Sequence, residues 1–414
     1  MTASAESGAL VEHLFRRQAG RMVAHLARVL GPAHLDLAEE MVQEAMLRAL
    51  QGWPVQGVPE NPEAWLFRVA HNLAIDAVRH NRLALEKSEA VISELKRAAP
   101  AQPGDSDDEL RLIFMCCHPE IPMEAAIALS LKVACGFSVR EIASAFLSDD
   151  AAIAQRLVRA KRQIRERQLS LELPAGAEIA RRLDAALAVI YFTFNEGYTA
   201  HEGDALIRRD LCGEALRLGR LIASSPLGAP RVDALVALIA FQMARSPARI
   251  DEAGDLILLE DQDRSRWDQG LIALGFSHFD RSIVGDDVSA YHVQAAIAAT
   301  HARAAAAEST DWPMILSFYD QLLEMNPSPV VALNRAVALS KVRGAAEALD
   351  VVESLGSDPK MGDYYLWLAV KGHLLSELGE KERAAACFRA ALECRCSEPE
   401  RRFLRRKLEE LDLR

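Results

Sequence analysis

Apolar residues recur along this 414-residue chain at three- and four-residue spacing, and no stretch sustains the two-residue alternation of a half-buried strand. That pattern sets the fold class as all-α. Composition agrees: half of the residues are hydrophobic, only 6% are aromatic, and much of the apolar content is Ala and Leu. Such side chains suit closely packed helices better than β-branched sheets. Breaks rich in Pro and Gly divide the chain at Gly52 to Pro62, at Pro100 to Asp108 (PAQPGDSDD, a linker's composition), at Pro174 with Gly176, and at Pro226 to Pro230. The longest apolar run, Ala185 to Phe194, is far short of the roughly 20 residues that span a bilayer. Met1 to Gly8 holds no basic residue and no apolar core, so no membrane segment or secretory signal is expected. Seven scattered cysteines suit a reducing, cytoplasmic location rather than a disulfide framework.

A net charge of −11 argues against nucleic acid until its distribution is considered. Residues 1–170 carry only −2, whereas 171–414 carry −9, and Ala151 to Ser170 holds six basic residues against one acid. A local basic stretch, not the whole-chain charge, is the electrostatic footprint of a nucleic-acid site.

Two segments ahead of residue 100 read as amphipathic helices. Asp36 to Leu50 places Ala38, Met41, Val42, Ala45, Met46, Ala49 and Leu50 on one stripe, with Glu39, Glu40, Gln43, Glu44 and Arg48 outside it. The second opens at Asn61-Pro62-Glu63, a cap residue followed by Pro in the first helical position and then an acid. Its core stripe is expected at Leu66, Val69, Leu73 and Ala77, and Arg68, Asn72, Arg79 and Arg82 share another side. A solvated polar face explains that side equally well.

Farther on, Ser138 to Glu141 forms a capping box opening a short helix, Ser138 to Phe146. Ser148 is expected to cap a longer helix, with Asp149 and Asp150 in its first turn. Ile153, Leu157, Ala160 and Ile164 make the inner stripe of that helix, while Gln155, Arg156, Arg159, Arg162 and Arg165 face elsewhere. Two helices joined by a short turn, the second basic, suit major-groove docking. An ordinary helical hairpin with a charged face has the same pattern.

These residues carry a resemblance. DLAEEMVQEAMLRAL followed by NPEAWLFRVAHNLAIDAVRHNR resembles region 2 of the extracytoplasmic-function bacterial sigma factors, and FSVREIASAFLSDDAAIAQRLVRAKRQIRE resembles their region 4. The DDELRLIFMCCHP stretch and the long helical remainder resemble the subgroup with a C-terminal TPR-like extension. The resemblance implies a region 2 helical bundle over 8–97, a linker over 98–108, a region 4 helix-turn-helix over 109–170, a helical extension over 175–300 and TPR-like repeats over 310–414. It implies a factor that binds core RNA polymerase and directs it to promoters, with no cofactor, metal or catalytic residue of its own. Asp36, Glu39, Glu40, Gln43 and Glu44 would dock on the β′ clamp coiled coil, and the β subunit would be a further contact. Arg68, Asn72, Asp76, Arg79 and Arg82 would hold the −10 element, with the loop Pro54 to Asn61 near an extruded base and Trp65 in a packing role. Ala151, Ala152, Gln155, Arg156 and Arg159 would meet the −35 element. In the turn and first helical positions the chain departs from the family, with Leu147, Ala152 and Ala154 where Gly, Thr or Lys are common, so few base-edge hydrogen bonds are expected there.

The end of the chain repeats. Gly372, Gly379, Ala384, Phe388 and Ala391 fall at TPR offsets, and Ala336, Gly344, Ala348 and Val352 belong to an earlier unit. Tyr319, Leu322 and Pro327 suit another. An acidic extension beside a basic stretch implies an intramolecular contact that regulates the promoter-reading module. Two other readings stay open: a DNA-binding regulator with a TPR sensor that does not replace the housekeeping sigma, and a metal-dependent enzyme centred on Cys116-Cys117-His118. The second is weak, because adjacent cysteines do not supply zinc-ligand spacing, with or without Cys135, and Cys394-x-Cys396 is no better. Asn195 to Tyr198 and Asp261 to Trp267 are polar clusters suited to capping helices or to holding a small ligand.

Overall fold

The structure is a computed structural model describing residues 3–80, 106–146, 148–198, 208–359, 361–362 and 364–412. The described residues form α-helices joined by short 3₁₀ turns and irregular segments, with one isolated antiparallel bridge between Ile250 and Leu256 and no strands. None of these helices is long and apolar enough to cross a membrane. The chain divides into two compact units, Met1–Phe194 with Gly213–Leu227, and Asn195–Cys212 with Gly228–Arg414. The first helices of the extension are thus counted with the N-terminal unit.

In the first unit, α1 (Ala3–Leu30), α2 (Leu35–Gln56) and α3 (Pro62–His80) pack together. The expected stripe of α2 is buried except for Leu50, which is 42% exposed, while Glu39 is drawn into the core side at 8%. The helix does not stop at Gly52: it runs through Pro54 to Gln56, and the Gly57 N–H closes on the Trp53 carbonyl at 3.0 Å. Pro54 stands in the last turn, where its missing N–H deprives a single carbonyl. Trp53 is buried and meets the Trp65 ring edge-on at 5.5 Å, which gives Trp65 its packing role. The α3 cap is as expected, with the Asn61 side chain accepting the Ala64 N–H at 2.9 Å. Its buried stripe is Leu66, Phe67, Ala70, Ala74 and Val78, and Val69, Leu73 and Ala77 are only half-buried. The stripe is turned by about one residue because both α1 and α2 pack on this helix.

Next come α4 (Ser106–Cys116), α5 (Met123–Val133), α6 (Val139–Ala145) and α7 (Asp150–Glu166). Helix α4 begins inside the stretch that composition marks as linker, and its Asp108 is tied to Arg28 of α1 at 2.8 Å. Burial works to raise the Asp108 pKa, but the nearby His25 ring, 3.7 Å away, and the hydrogen-bonded Arg28 guanidinium outweigh it and hold the carboxyl below its usual value. Helix α1 also passes the end of α5 closely: a Cβ at Gly20 would lie 1.9 Å from the Ala134 carbonyl oxygen, so only glycine fits. Parts of α8 (Glu178–Tyr198) and α9 (Arg209–Ala223) complete the unit. The Thr193 hydroxyl donates to Cys135 Sγ at 3.7 Å, and the Phe192 ring stacks on Phe146 at 5.7 Å.

In the second unit, α10 (Pro230–Ala244), α11 (Gln269–Ser282) and α12 (Ala290–Arg303) are followed by α13 (Trp312–Met325), α14 (Pro329–Arg343), α15 (Ala345–Ser354), α16 (Tyr365–Glu377), α17 (Lys381–Glu393) and α18 (Glu398–Asp412). From α12 onward each helix packs on its successor, the arrangement of a TPR-like stack. Gly372 faces the Phe388 ring so closely that a Cβ would lie 2.9 Å from it, and Ala384 and Ala391 are fully buried beside that ring. The polar cluster Asp261 to Trp267 is a tie. Arg264 donates to the His301 and Ala304 carbonyls at 2.7 Å each and to Thr310 Oγ1 at 2.8 Å.

His301 is buried beside Trp312, ring to ring at 5.3 Å. Burial first, then Arg245 and Arg264, pull its pKa down to about 3. The folded state therefore binds one proton fewer than the unfolded chain between about pH 3 and the ordinary histidine value near 6.5. This stability is present above pH 6.5 and is lost as pH falls, by about 1.4 kcal/mol per pH unit at full slope. Urea unfolding of His301→Gln is expected to lose this component of acid sensitivity; a slope equal to the wild type would assign it elsewhere.

Candidate DNA and polymerase interface

Helix α3 presents Arg68, Asn72, Asp76 and Arg79 on one exposed face, at steps of four, four and three residues. Asp76 accepts from the Arg79 guanidinium at 3.5 Å, leaving a face with cationic ends and an amide between them. Arg82 lies outside the described residues. The loop expected near an extruded base shortens to Gly57–Asn61, because Pro54 to Gln56 are helical.

The α6–α7 pair has the expected hairpin form. Ser138 and Glu141 make the reciprocal capping box, at 2.7 and 3.2 Å. The cap of α7 is Asp149 rather than Ser148: its carboxylate accepts the Ala152 N–H at 2.7 Å, which the shorter serine one residue earlier does not reach. Ile153, Leu157, Ala160 and Ile164 are buried as the periodicity requires. On the other side Ala151, Gln155 and Arg159 are exposed and Ala152 is half-buried. Arg156 does not join the exposed side: it pairs with Glu124 at 3.1 Å and lies over the Phe146 ring at 5.4 Å.

The acidic residues of α2 separate into two groups. Glu40 and Gln43 are exposed, and Glu44 pairs with Arg48 one turn on, at 2.9 Å. Asp36 and Glu39 instead receive the ammonium of Lys161 from α7, with Asp36 at 2.8 Å. Burial works against the Lys161 charge, but the two carboxylates outweigh it and hold its pKa above the usual lysine value. Two surfaces that the sequence assigns to different partners, polymerase and −35 DNA, are thereby joined through one salt bridge. Sequence reasoning missed Lys161. A single lysine among five arginines between Ala151 and Ser170 was the available signal, and its partner more than a hundred residues away was not.

Cys116, Cys117 and Cys135 are buried close by, and burial pushes the Cys117 and Cys135 thiols up to about 12. Such thiols are neutral and act as small apolar side chains. Among the described residues, no three His, Cys, Asp or Glu groups are placed to hold a metal ion.

Comparison with known proteins matches two separate segments of the chain to family models, and the second crosses the boundary between the two units. Residues 14–83 match the Sigma-70 region 2 family, and residues 182–283 match a family of unknown function, DUF6596. An uncharacterized protein of Rhizobium meliloti (strain 1021), R00370, is 40% identical over 385 residues, which is 91% of this chain and 90% of that one. RNA polymerase sigma factor CarQ of Myxococcus xanthus is 32% identical over 174 residues, 41% of this chain and 93% of CarQ. The ECF RNA polymerase sigma factor SigL of Mycobacterium tuberculosis is 30% identical over 175 residues, 41% of this chain and 93% of SigL.

Proposed function

Since the chain belongs to the ECF family of RNA polymerase sigma factors, we propose that it binds core RNA polymerase and directs it to a set of promoters, without bond-making chemistry of its own. The observation that carries the reading is the exposed row Arg68, Asn72, Asp76 and Arg79, which lies within the segment matching Sigma-70 region 2. In this reading Arg68, Arg79 and Arg82 hold phosphates of the −10 element, and Asn72 with Asp76 reads an unstacked base. Ala151, Ala152, Gln155 and Arg159 face the −35 element, with Arg156 positioning the helix from its inner side. Asp36, Glu39, Glu40, Gln43 and Glu44 dock on the β′ clamp coiled coil, the β subunit making a further contact. Run-off transcription by core polymerase tests the proposal. Transcripts that appear only when the full chain is added support it, and promoter binding without transcripts favours a regulator that leaves the housekeeping sigma in place.

Within that reading Asn72→Ala is expected to slow promoter opening about tenfold, the worth of one well-placed base contact. Core polymerase binding should be unchanged, since Asn72 is exposed and outside the acidic face. Permanganate reactivity of the opened bases measures the effect, and wild-type opening would remove Asn72 from the reader.

The extension regulates in this proposal by bracing the sigma module. Support comes from Arg217, which bonds Glu109 of α4, and from the Phe192 and Phe146 stack. The Lys161 bridge to Asp36 and Glu39 then describes a resting form that must open before the −35 helix and the acidic face engage their own partners.

A further inference from the structure

Partly exposed apolar side chains converge in the second unit where no helix covers them. Leu256 and Leu258 from the segment after α10, Trp312 from α13, Leu366 and Val370 from α16 and Phe403 from α18 line a cavity of about 580 Å³. That volume lies within the roughly 300–1,000 Å³ usual for small-molecule sites. We propose that this cavity binds an uncharged, largely apolar small molecule, independently of the polymerase and DNA surfaces of the first unit.

The ligand class follows from what the charged lining groups are already doing. Lys341 is paired with Glu260 at 2.6 Å, and Lys407 with Glu410 at 2.8 Å. Glu400 accepts from the Ser397 N–H and hydroxyl at 2.7 Å each, and from the Tyr365 hydroxyl. Arg264 commits both terminal nitrogens to the His301 and Ala304 carbonyls and Thr310, and only its buried Nε has no hydrogen-bond partner. A phosphate or an acidic peptide would have to break these pairs to gain a cation, so the lining gives an anion little. What is left for a ligand is apolar wall plus two unpartnered nitrogens, Arg264 Nε and the Nδ1 of His301, whose low pKa keeps the imidazole neutral. One neutral hydrogen-bonding group on an otherwise apolar molecule matches that wall. The segment carrying Arg264 forms one side of the cavity and is tied to the end of α12, so occupancy would reinforce the joint between the first helices of this unit and its repeats.

Fluorescence titration of the full chain with uncharged N-phenyl-1-naphthylamine tests the site. Saturable one-to-one enhancement is expected, unaffected by inorganic phosphate. Leu366→Arg, at a position 37% exposed and therefore compatible with folding, should weaken binding at least tenfold. Ala369→Trp, which fills the cavity from α16, should abolish it. Non-saturable enhancement, displacement by phosphate, or wild-type affinity in a folded Leu366→Arg protein would overturn the proposal. Neither polymerase nor DNA enters the measurement, so its failure would leave the sigma reading untouched.

Discussion

Arg217→Ala is expected to destabilise the first unit by about 3–5 kcal/mol, the cost of stranding one member of a buried ion pair. The stranded group is Glu109, which is 1% exposed. Arg217 holds it at 2.5 Å and Glu214 at 2.6 Å, while Arg21 of α1 stands 3.7 Å from the other Glu109 oxygen. Burial already raises the Glu109 pKa against the pull of Arg217, and removing Arg217 raises it further. Protonation then offers the variant an escape. The loss should be complete where an unpaired Glu109 must stay ionised and should shrink as pH falls, because the folded state then takes up a proton that the unfolded chain does not hold. Urea unfolding at pH 8 and pH 5.5 reads both the size and the sign. The double variant Arg217→Ala with Glu109→Gln should recover the part of the loss that comes from the Glu109 charge, while Glu214, 8% exposed, still lacks its Arg217 partner. A variant as stable as the wild type at pH 8 would remove Arg217 from the brace. The same argument bears on truncation. A chain ending near residue 172 keeps Glu109 but lacks Arg217, so it is expected to be less stable than the full protein rather than an unencumbered sigma module.

The legible parts of this protein were those set by local chemistry. Asn61-Pro62 opening α3, the Ser138–Glu141 capping box and the stripe Ile153, Leu157, Ala160 and Ile164 depend on neighbours within one or two turns, and the periodicity shows them directly. The TPR offsets at Gly372, Ala384 and Phe388 were legible for the same reason, because close helix contact demands small residues at fixed steps. Errors occurred where a distant element decides. The α3 stripe turned by a residue because two helices pack on it. Pro54 has a loop residue's local signature, and nothing near it in sequence shows that Trp53 is anchored by Trp65. Asp108 looked like linker composition and is instead a first-turn acid held by Arg28 from eighty residues earlier. For the candidate site, the sequence showed which residues are exposed on α3 and most of those on α7. It did not show that Arg156 turns inward or that Lys161 meets the acidic helix, since both depend on how two helical pairs meet.

Lys161→Ala is expected to tighten core polymerase binding roughly tenfold. The ammonium sits between Asp36 and Glu39, and its side chain is 19% exposed while those of the carboxylates are 63% and 9% exposed. Such a partly wet bridge is worth less than a buried pair, about 1–2 kcal/mol, which is near a factor of ten in the open population. If the acidic face of α2 is the polymerase-binding surface, a closed resting form lowers the apparent affinity by the fraction of molecules that are open. Removing the lysine raises that fraction and frees both carboxylates. Salt gives an independent signature: it should weaken the bridge in the wild type and so narrow the difference between the two proteins. Arg162→Ala is the matched control, because it removes the same charge from an exposed position whose partner, Glu166, lies on its own helix. Binding to fluorescently labelled core polymerase at two salt concentrations separates the cases. Equal affinity for wild type and Lys161→Ala, or equal tightening by Arg162→Ala, would mean that the bridge does not gate polymerase access and that α2 and α7 remain joined when the polymerase binds.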